Sequence, residues 1–122
     1  MPRRMLVSVV DDDESVREAL PDLLRELGFS VQAFSSAEAF LESGYVEQTK
    51  CLVLDVSMPG MSGPDLRREL MRCGQEIPTI FITAHAEVAL PPDVLRGAVA
   101  CLIKPFSEAA LEHGLKEALK KT

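Results

Sequence analysis

Five short apolar runs rich in β-branched residues, each followed by a stretch with helical patterning, constrain this chain more than any other feature. They are Met5 to Val10, Ser30 to Phe34, Lys50 to Leu54, Thr79 to Thr83 and Val99 to Ile103. Cys51-Leu52-Val53-Leu54 shows no polar alternation, which is the pattern of a strand covered on both faces. Between the runs, Val16, Leu20, Leu23, Leu24 and Leu27 recur at helical spacing and stop at Gly28, a residue suited to close a helix. Ser35-Ser36-Ala37-Glu38 offers a capping box ahead of Phe40 and Leu41, and Ser62-Gly63-Pro64 opens a helix through Leu66 and Leu70 that closes at Gly74. Ser107 starts a last helix with the stripe Leu111, Leu115, Ala118 and Leu119. Right-handed crossovers turn such an alternation into an α/β fold, a doubly wound five-stranded parallel sheet between two helical layers.

Two places strain this pattern. Pro21 lies inside the first helix, where it removes a backbone donor and predicts a kink. Pro91-Pro92 falls where the fourth helix should begin, leaving only Asp93-Val94-Leu95-Arg96 before Gly97, so that helix is expected to be short, late or irregular.

At 122 residues, 47% of them hydrophobic, residues 1–122 suit one domain with a continuous core, and no linker or repeat divides them. Thirteen Lys and Arg against nineteen Asp and Glu give a formal charge of -6 with no basic stripe, which argues against direct contact with nucleic acid. Cys51, Cys73 and Cys101 are odd in number and widely spaced, with no metal-site pattern, and read as reduced, mostly buried thiols of a cytoplasmic protein. The apolar run behind Met1-Pro2-Arg3-Arg4-Met5 is too short for a signal peptide core, and nothing approaches the roughly 20 apolar residues of a membrane span.

In an open parallel sheet, ligands sit outside the carboxyl ends of the strands, where the strand order reverses. Asp11, Asp12 and Asp13 follow the first run; Asp55, Thr83 and Lys104 end the third, fourth and fifth. With the first strand beside the third, as in the order 2-1-3-4-5, the carboxylates of Asp11, Asp12 and Asp55 converge. Like charges held that close repel unless a cation joins them, and Mg2+ suits a few carboxylates, a backbone carbonyl and waters. An aspartate beside such an ion can attack phosphorus, with Lys104 and Thr83 supplying a cation and a hydroxyl to the phosphoryl oxygens. Each piece has an ordinary reading: an acidic run caps a helix, Asp55 starts a turn before Pro59-Gly60, Thr83 ends a strand, Lys104-Pro105 makes a surface turn. Four such accidents at four separate strand ends are hard to credit to chance.

Val9-Val10-Asp11-Asp12, Leu54-Asp55-Val56-Ser57-Met58-Pro59-Gly60-Met61-Ser62-Gly63, Ile80-Phe81-Ile82-Thr83-Ala84-His85 and Ile103-Lys104-Pro105-Phe106 resemble the four signature segments of response-regulator receiver domains of two-component systems. With Ser36-Ala37-Glu38-Ala39-Phe40-Leu41, the wording is nearest to the receivers of nitrogen-fixation-type transcriptional regulators. The resemblance implies the flavodoxin-like (βα)5 fold and a phosphoprotein: a sensor histidine kinase would transfer a phosphoryl group to Asp55. Asp12, Asp55 and the Ser57 carbonyl would ligate Mg2+, with Asp11 acting through water. Lys104 would pair with the phosphoryl group, Thr83 would move to it, and the bond before Pro105 would be cis. Switching would alter the surface of the fourth helix, fifth strand and fifth helix, leading to an output domain or protein, as a monomer or a phosphorylation-dependent dimer. Such a chain is a signalling substrate with weak self-dephosphorylation rather than an enzyme.

The chain also departs from that family. Three residues before the lysine, where the family usually places a switching Phe or Tyr, stands Cys101, and the segment from Thr83 to Lys104 is about one residue short. A receiver that binds metal or phosphoryl without switching, a scaffold or phosphate sink, is therefore the alternative. Cys101 is expected to be a small buried strand residue, His113 to be exposed, and His85 to be an ordinary loop histidine at a position that tunes hydrolysis in the family. An aspartyl-phosphate phosphatase would want an acid where Ser57 stands, and a flavin or nucleotide module would want glycines or hydroxyls in place of Asp11-Asp12-Asp13-Glu14.

Overall fold

A computed structural model of the chain describes residues 4–85, 90–96 and 98–120. Its elements alternate as the sequence predicts: β1 (Leu6–Val10), α1 (Glu14–Glu26), β2 (Ser30–Phe34), α2 (Ala37–Glu42), β3 (Thr49–Asp55), α3 (Gly63–Arg72), β4 (Thr79–Thr83), α4 (Pro92–Leu95), β5 (Ala98–Ile103) and α5 (Glu108–Lys120). All pairings are parallel and the order is β2-β1-β3-β4-β5, so β1 and β3 are central neighbours and the direction of winding reverses between them.

Two cores follow from the pleat. On one face Val7, Val9, Cys51, Val53, Ile80 and Ile82 meet Leu20 and Leu24 of α1 and Leu111, Leu115 and Ala118 of α5. On the other, Val10, Leu52, Leu54 and Phe81 meet Phe40 of α2, Leu66 and Leu70 of α3, and Val94 of α4. Truncating any one of the large leucines here costs about 2–5 kcal/mol, so each layer holds the strand tips rigidly.

Asp13 caps α1 by accepting the Ser15 N–H at 2.9 Å, and α1 runs through the buried Pro21 without ending there. Ser62 and Asp65 form a reciprocal capping box on α3, while Gly28 (φ 101) and Gly74 (φ 76) take the left-handed conformation that closes α1 and α3. The capping box expected for α2 does not form. Its cap is Ser36, which accepts the Ala39 N–H at 3.0 Å, and this puts Ala39 rather than Glu38 three residues on. The Glu38 carboxylate instead accepts the Met61 N–H at 3.3 Å.

The fourth helix is as short as Pro91-Pro92 predicts, four residues with no side-chain cap. Buried Val94 and a two-pronged bond from Arg68 to Asp93, at 2.9 and 3.4 Å, tie it to α3. That brevity corrects the expectation for the thiols. Only Cys51 is buried; Cys73 and Cys101 are exposed. Cys101 pairs in register with Phe81 and so lies on the face that α4 should cover, but four residues of helix leave the edge strand β5 bare there. Ile103, two residues on along the same face, is 49% exposed, and Leu95 of α4 is 48% exposed. His113 is exposed as expected. Among the described residues no helix is long and apolar enough to cross a membrane.

Thiol titration reads this burial directly. Cys73 and Cys101 should react with a disulfide reagent in the native protein, whereas Cys51, whose pKa burial pushes up to about 12, should react only on unfolding. A single fast thiol in native buffer would contradict the bare β5 face.

Candidate functional site

The sheet register builds the site. Val10 pairs with Leu54, so the next residues, Asp11 and Asp55, emerge side by side from the carboxyl ends of β1 and β3, about one strand spacing apart. Asp55 pairs with Ile82 and Thr83 with Ile103, which brings Thr83 and Lys104 to the same end of the sheet. Lys104 is fixed there by its backbone N–H, which donates to the Thr83 carbonyl at 2.8 Å. The bond from Lys104 to Pro105 is cis.

The acidic run divides into three environments. Asp11 is wholly buried, Asp12 is exposed at the rim, and Asp13 is the α1 cap. Carboxylate oxygens of Asp11, Asp12 and Asp55 lie within 4.8 Å of one another. Lys104 Nζ is 2.9 Å from Asp11 Oδ2 and 3.8 Å from Asp55 Oδ1, so the cation sits nearer the buried acid than the strand-end one. Three carboxylates against one ammonium leave negative charge uncompensated. Among the described residues Asp11 Oδ2 has no further hydrogen-bond partner, while Asp11 Oδ1 accepts the Asp13 N–H at 2.8 Å. Hard oxygen donors, excess negative charge and a rim open to water are what a magnesium-sized dication requires.

The electrostatics register this crowding. Burial first, then the charge of Asp11, push Asp55 up to about 7; Lys104 pulls the other way, and hydrogen bonding to Asp11 and Asp12 adds to the rise. For Lys104, burial opposes the ammonium, but bonding to Asp11 and the charges of Asp11 and Asp55 outweigh it and hold the pKa above the ordinary value. Besides burial, both shifts register the same crowding of carboxylates around the Lys104 ammonium.

Thr83 is buried at its strand end, and its hydroxyl is engaged by the backbone of His85: it accepts the His85 N–H at 3.1 Å and lies 3.3 Å from the His85 carbonyl. Ser57 is exposed in the loop after β3. Cys101 stands apart from the pocket, on the exposed face of β5. Two neighbours escaped the sequence reading. Gly63 opens α3, and a Cβ there would stand 2.3 Å from the Asp55 carbonyl oxygen, a close approach between backbones that no spacing rule announces. Arg17, one turn into α1, donates to the Asp11 carbonyl at 3.0 Å; a basic residue at that spacing reads equally well as a solvated helix face.

A doubly wound parallel sheet with a metal-compatible acidic pocket at its switch point belongs to the flavodoxin-like class of α/β proteins that carry chemistry on strand tips. More narrowly, the response regulator receiver domain profile matches residues 7–116, and the chain belongs to that family, the receivers of two-component signal transduction. It is 42% identical to the response regulator protein TodT of Pseudomonas putida over 119 residues, 97% of this chain and 52% of TodT. It is 39% identical to the transcriptional regulatory protein FixJ of Azorhizobium caulinodans over 123 residues, 100% of this chain and 58% of FixJ, in keeping with the nitrogen-fixation wording of its motifs. The solved response regulator StyR superposes with a TM-score of 0.92 at 45% identity, covering 98% of this chain and 61% of StyR. The chain thus spans about half the length of the curated relatives it matches.

Two outcomes test the geometry. Because the folded chain holds a proton on Asp55 up to about 7 while the unfolded chain releases it near 3.8, metal-free stability should fall as pH rises through that window. The loss is about 1–3 kcal/mol after allowing for screening at the open rim. Asp55→Asn should remove the slope, being more stable than the parent at about pH 8 and equal to it at about pH 4 by urea denaturation; parallel stability curves would refute the assignment. Gly63→Ala must displace the loop from the Asp55 carbonyl, and a loss of about 2–4 kcal/mol in the same assay is expected.

Proposed function

We propose that this chain accepts a phosphoryl group on Asp55 from a histidine kinase, with Mg2+ held by Asp12, Asp55 and the Ser57 carbonyl and by Asp11 through water. The supporting observation is the convergence of Asp11, Asp12 and Asp55 within 4.8 Å beside Lys104 at the tips of β1, β3 and β5. Bound there, the ion would neutralise the carboxylates and draw the phosphoryl oxygens of the donor into place. Asp55 would present an oxygen to phosphorus as the donor's leaving group departs. Lys104, already 3.8 Å from Asp55, would shift toward the new phosphoryl oxygens, and Thr83 would exchange its bonds to the His85 backbone for one to a phosphoryl oxygen. On this reading cation and hydroxyl would start from the same end of the sheet as Asp55, and such proximity is how a site with little covalent machinery would accelerate phosphoryl transfer.

On this reading residues 1–122 form one cytoplasmic receiver unit, a signalling substrate with at most weak self-dephosphorylation. Its surface of α4, β5 and α5 would change with phosphorylation to reach an output domain or protein, as a monomer or a phosphorylation-dependent dimer. One observation favours a second reading, a receiver that accepts phosphoryl without switching. Cys101 stands on a bare β5 face beside a four-residue α4, with no aromatic side chain at that position to turn inward.

Acetyl phosphate with Mg2+ should add one phosphoryl group to the parent by intact mass, and none to Asp55→Asn or in the presence of a chelator. Mass gain on the variant would remove Asp55 from its role. Hydrogen exchange over α4 and β5, with and without a phosphoryl mimic, separates the two readings: slowed or quickened exchange marks a switch, and identical traces mark a phosphate sink.

A further inference from the structure

The peptide group joining Asp11 to Asp12 carries two of the three converging carboxylates, and its carbonyl is held by a side chain from another element. Arg17 Nη1 donates to Asp11 O at 3.0 Å, in a half-buried setting where a charge-assisted bond outweighs its solvated equivalent. The same turn is knit on its other sides: the Asp11 N–H donates to the Phe34 carbonyl at 3.1 Å, the Asp13 N–H to Asp11 Oδ1 at 2.8 Å, and the Ser15 N–H to Asp13 Oδ1 at 2.9 Å. These local bonds leave the plane of the Asp11–Asp12 peptide without a fixed partner for its oxygen. Arg17 supplies that partner, from a helix whose Leu20 and Leu24 are anchored in the core.

We infer that Arg17 is a positioning residue of the metal pocket, orienting the Asp11–Asp12 peptide so that both carboxylates face the ion. This rests on the reading of the pocket as a Mg2+ site, and it makes a prediction opposite to simple electrostatics. A guanidinium close to a cation site repels the cation, so a purely electrostatic Arg17 would weaken Mg2+ binding, and its removal would tighten it. A positioning Arg17 does the reverse: its loss frees the turn, and Mg2+ binds less well.

Calorimetric titration with Mg2+ alone should give a Kd about tenfold higher for Arg17→Ala than for the parent, the scale of one hydrogen bond to a charged group. Arg17→Met, which keeps the apolar stem but removes the donor, should match it, so that a packing defect is not mistaken for loss of position. The Mg2+ concentration giving half-maximal phosphorylation by acetyl phosphate should rise by the same factor while the rate at saturating Mg2+ is retained. In metal-free protein the Asp13 amide, which donates to Asp11 Oδ1, should exchange faster in both variants. An affinity within about twofold of the parent, or a tighter one, overturns the inference. If the parent itself bound no Mg2+ and took no phosphoryl group, the functional reading would fail instead. The amide exchange would still decide whether Arg17 orders the turn, and unchanged exchange overturns the inference there too.

Discussion

Everything distinctive in this molecule depends on holding negative charge together at the tips of two adjacent strands. Left to themselves, Asp11 and Asp55 would separate into water. Instead the parallel pairing of β1 with β3 fixes their backbones one strand spacing apart, and the layers on both faces stop the strands from moving. Burial first, and then repulsion from Asp11, push Asp55 up to about 7, and the lysine leans toward the buried acid. Packing that holds these acids together leaves the site short of positive charge, and on the proposed reading a dication would supply it.

The sheet was legible because its signals are redundant. Two-faced burial demands continuous apolar runs, as in Cys51 to Leu54, and parallel pairing demands crossovers long enough for helices. Once the order placed the first strand beside the third, the meeting of Asp11, Asp12 and Asp55 followed from register alone. Less legible were contacts that depend on where a single residue turns. A capping box over Ser35 to Glu38 and a cap at Ser36 differ by one position, and only the backbone decides between them. The loop bond of Glu38, the close approach at Gly63 and the reach of Arg17 to a carbonyl are tertiary, and no periodicity encodes them.

Cys101 shows the limit from the other side. The sequence pattern puts it on a strand and the register sets it opposite Phe81, yet burial requires something to lie over it. Pro91-Pro92 predicts the short α4, but the loss of cover over the strand beneath depends on tertiary packing that no local pattern carries. An edge strand owes its cover to its helix, and a residue there is buried or bare according to a helix several residues away in sequence.

These two regions divide the molecule by rigidity. At the strand tips of β1 and β3, each acid is set by register, by helices anchored through several large side chains, and by bonds to neighbouring backbone. Among the described residues, one buried valine and one exposed ion pair hold the α4 end. An exposed ion pair contributes about 0–1 kcal/mol, which is small beside several buried leucines. A change at the pocket therefore meets a stiff wall toward α1 and β3 and a soft one toward α4. If force from a phosphoryl group travels at all, its route on this reading is Thr83, whose strand joins the pocket to β5 and whose hydroxyl is bonded to the His85 backbone in this state. The absence of an aromatic at Cys101 removes a bulky lever from that path but leaves the softness of α4 in place. Transmission here would thus rest on displacement of a loosely held helix rather than on the burial of a ring.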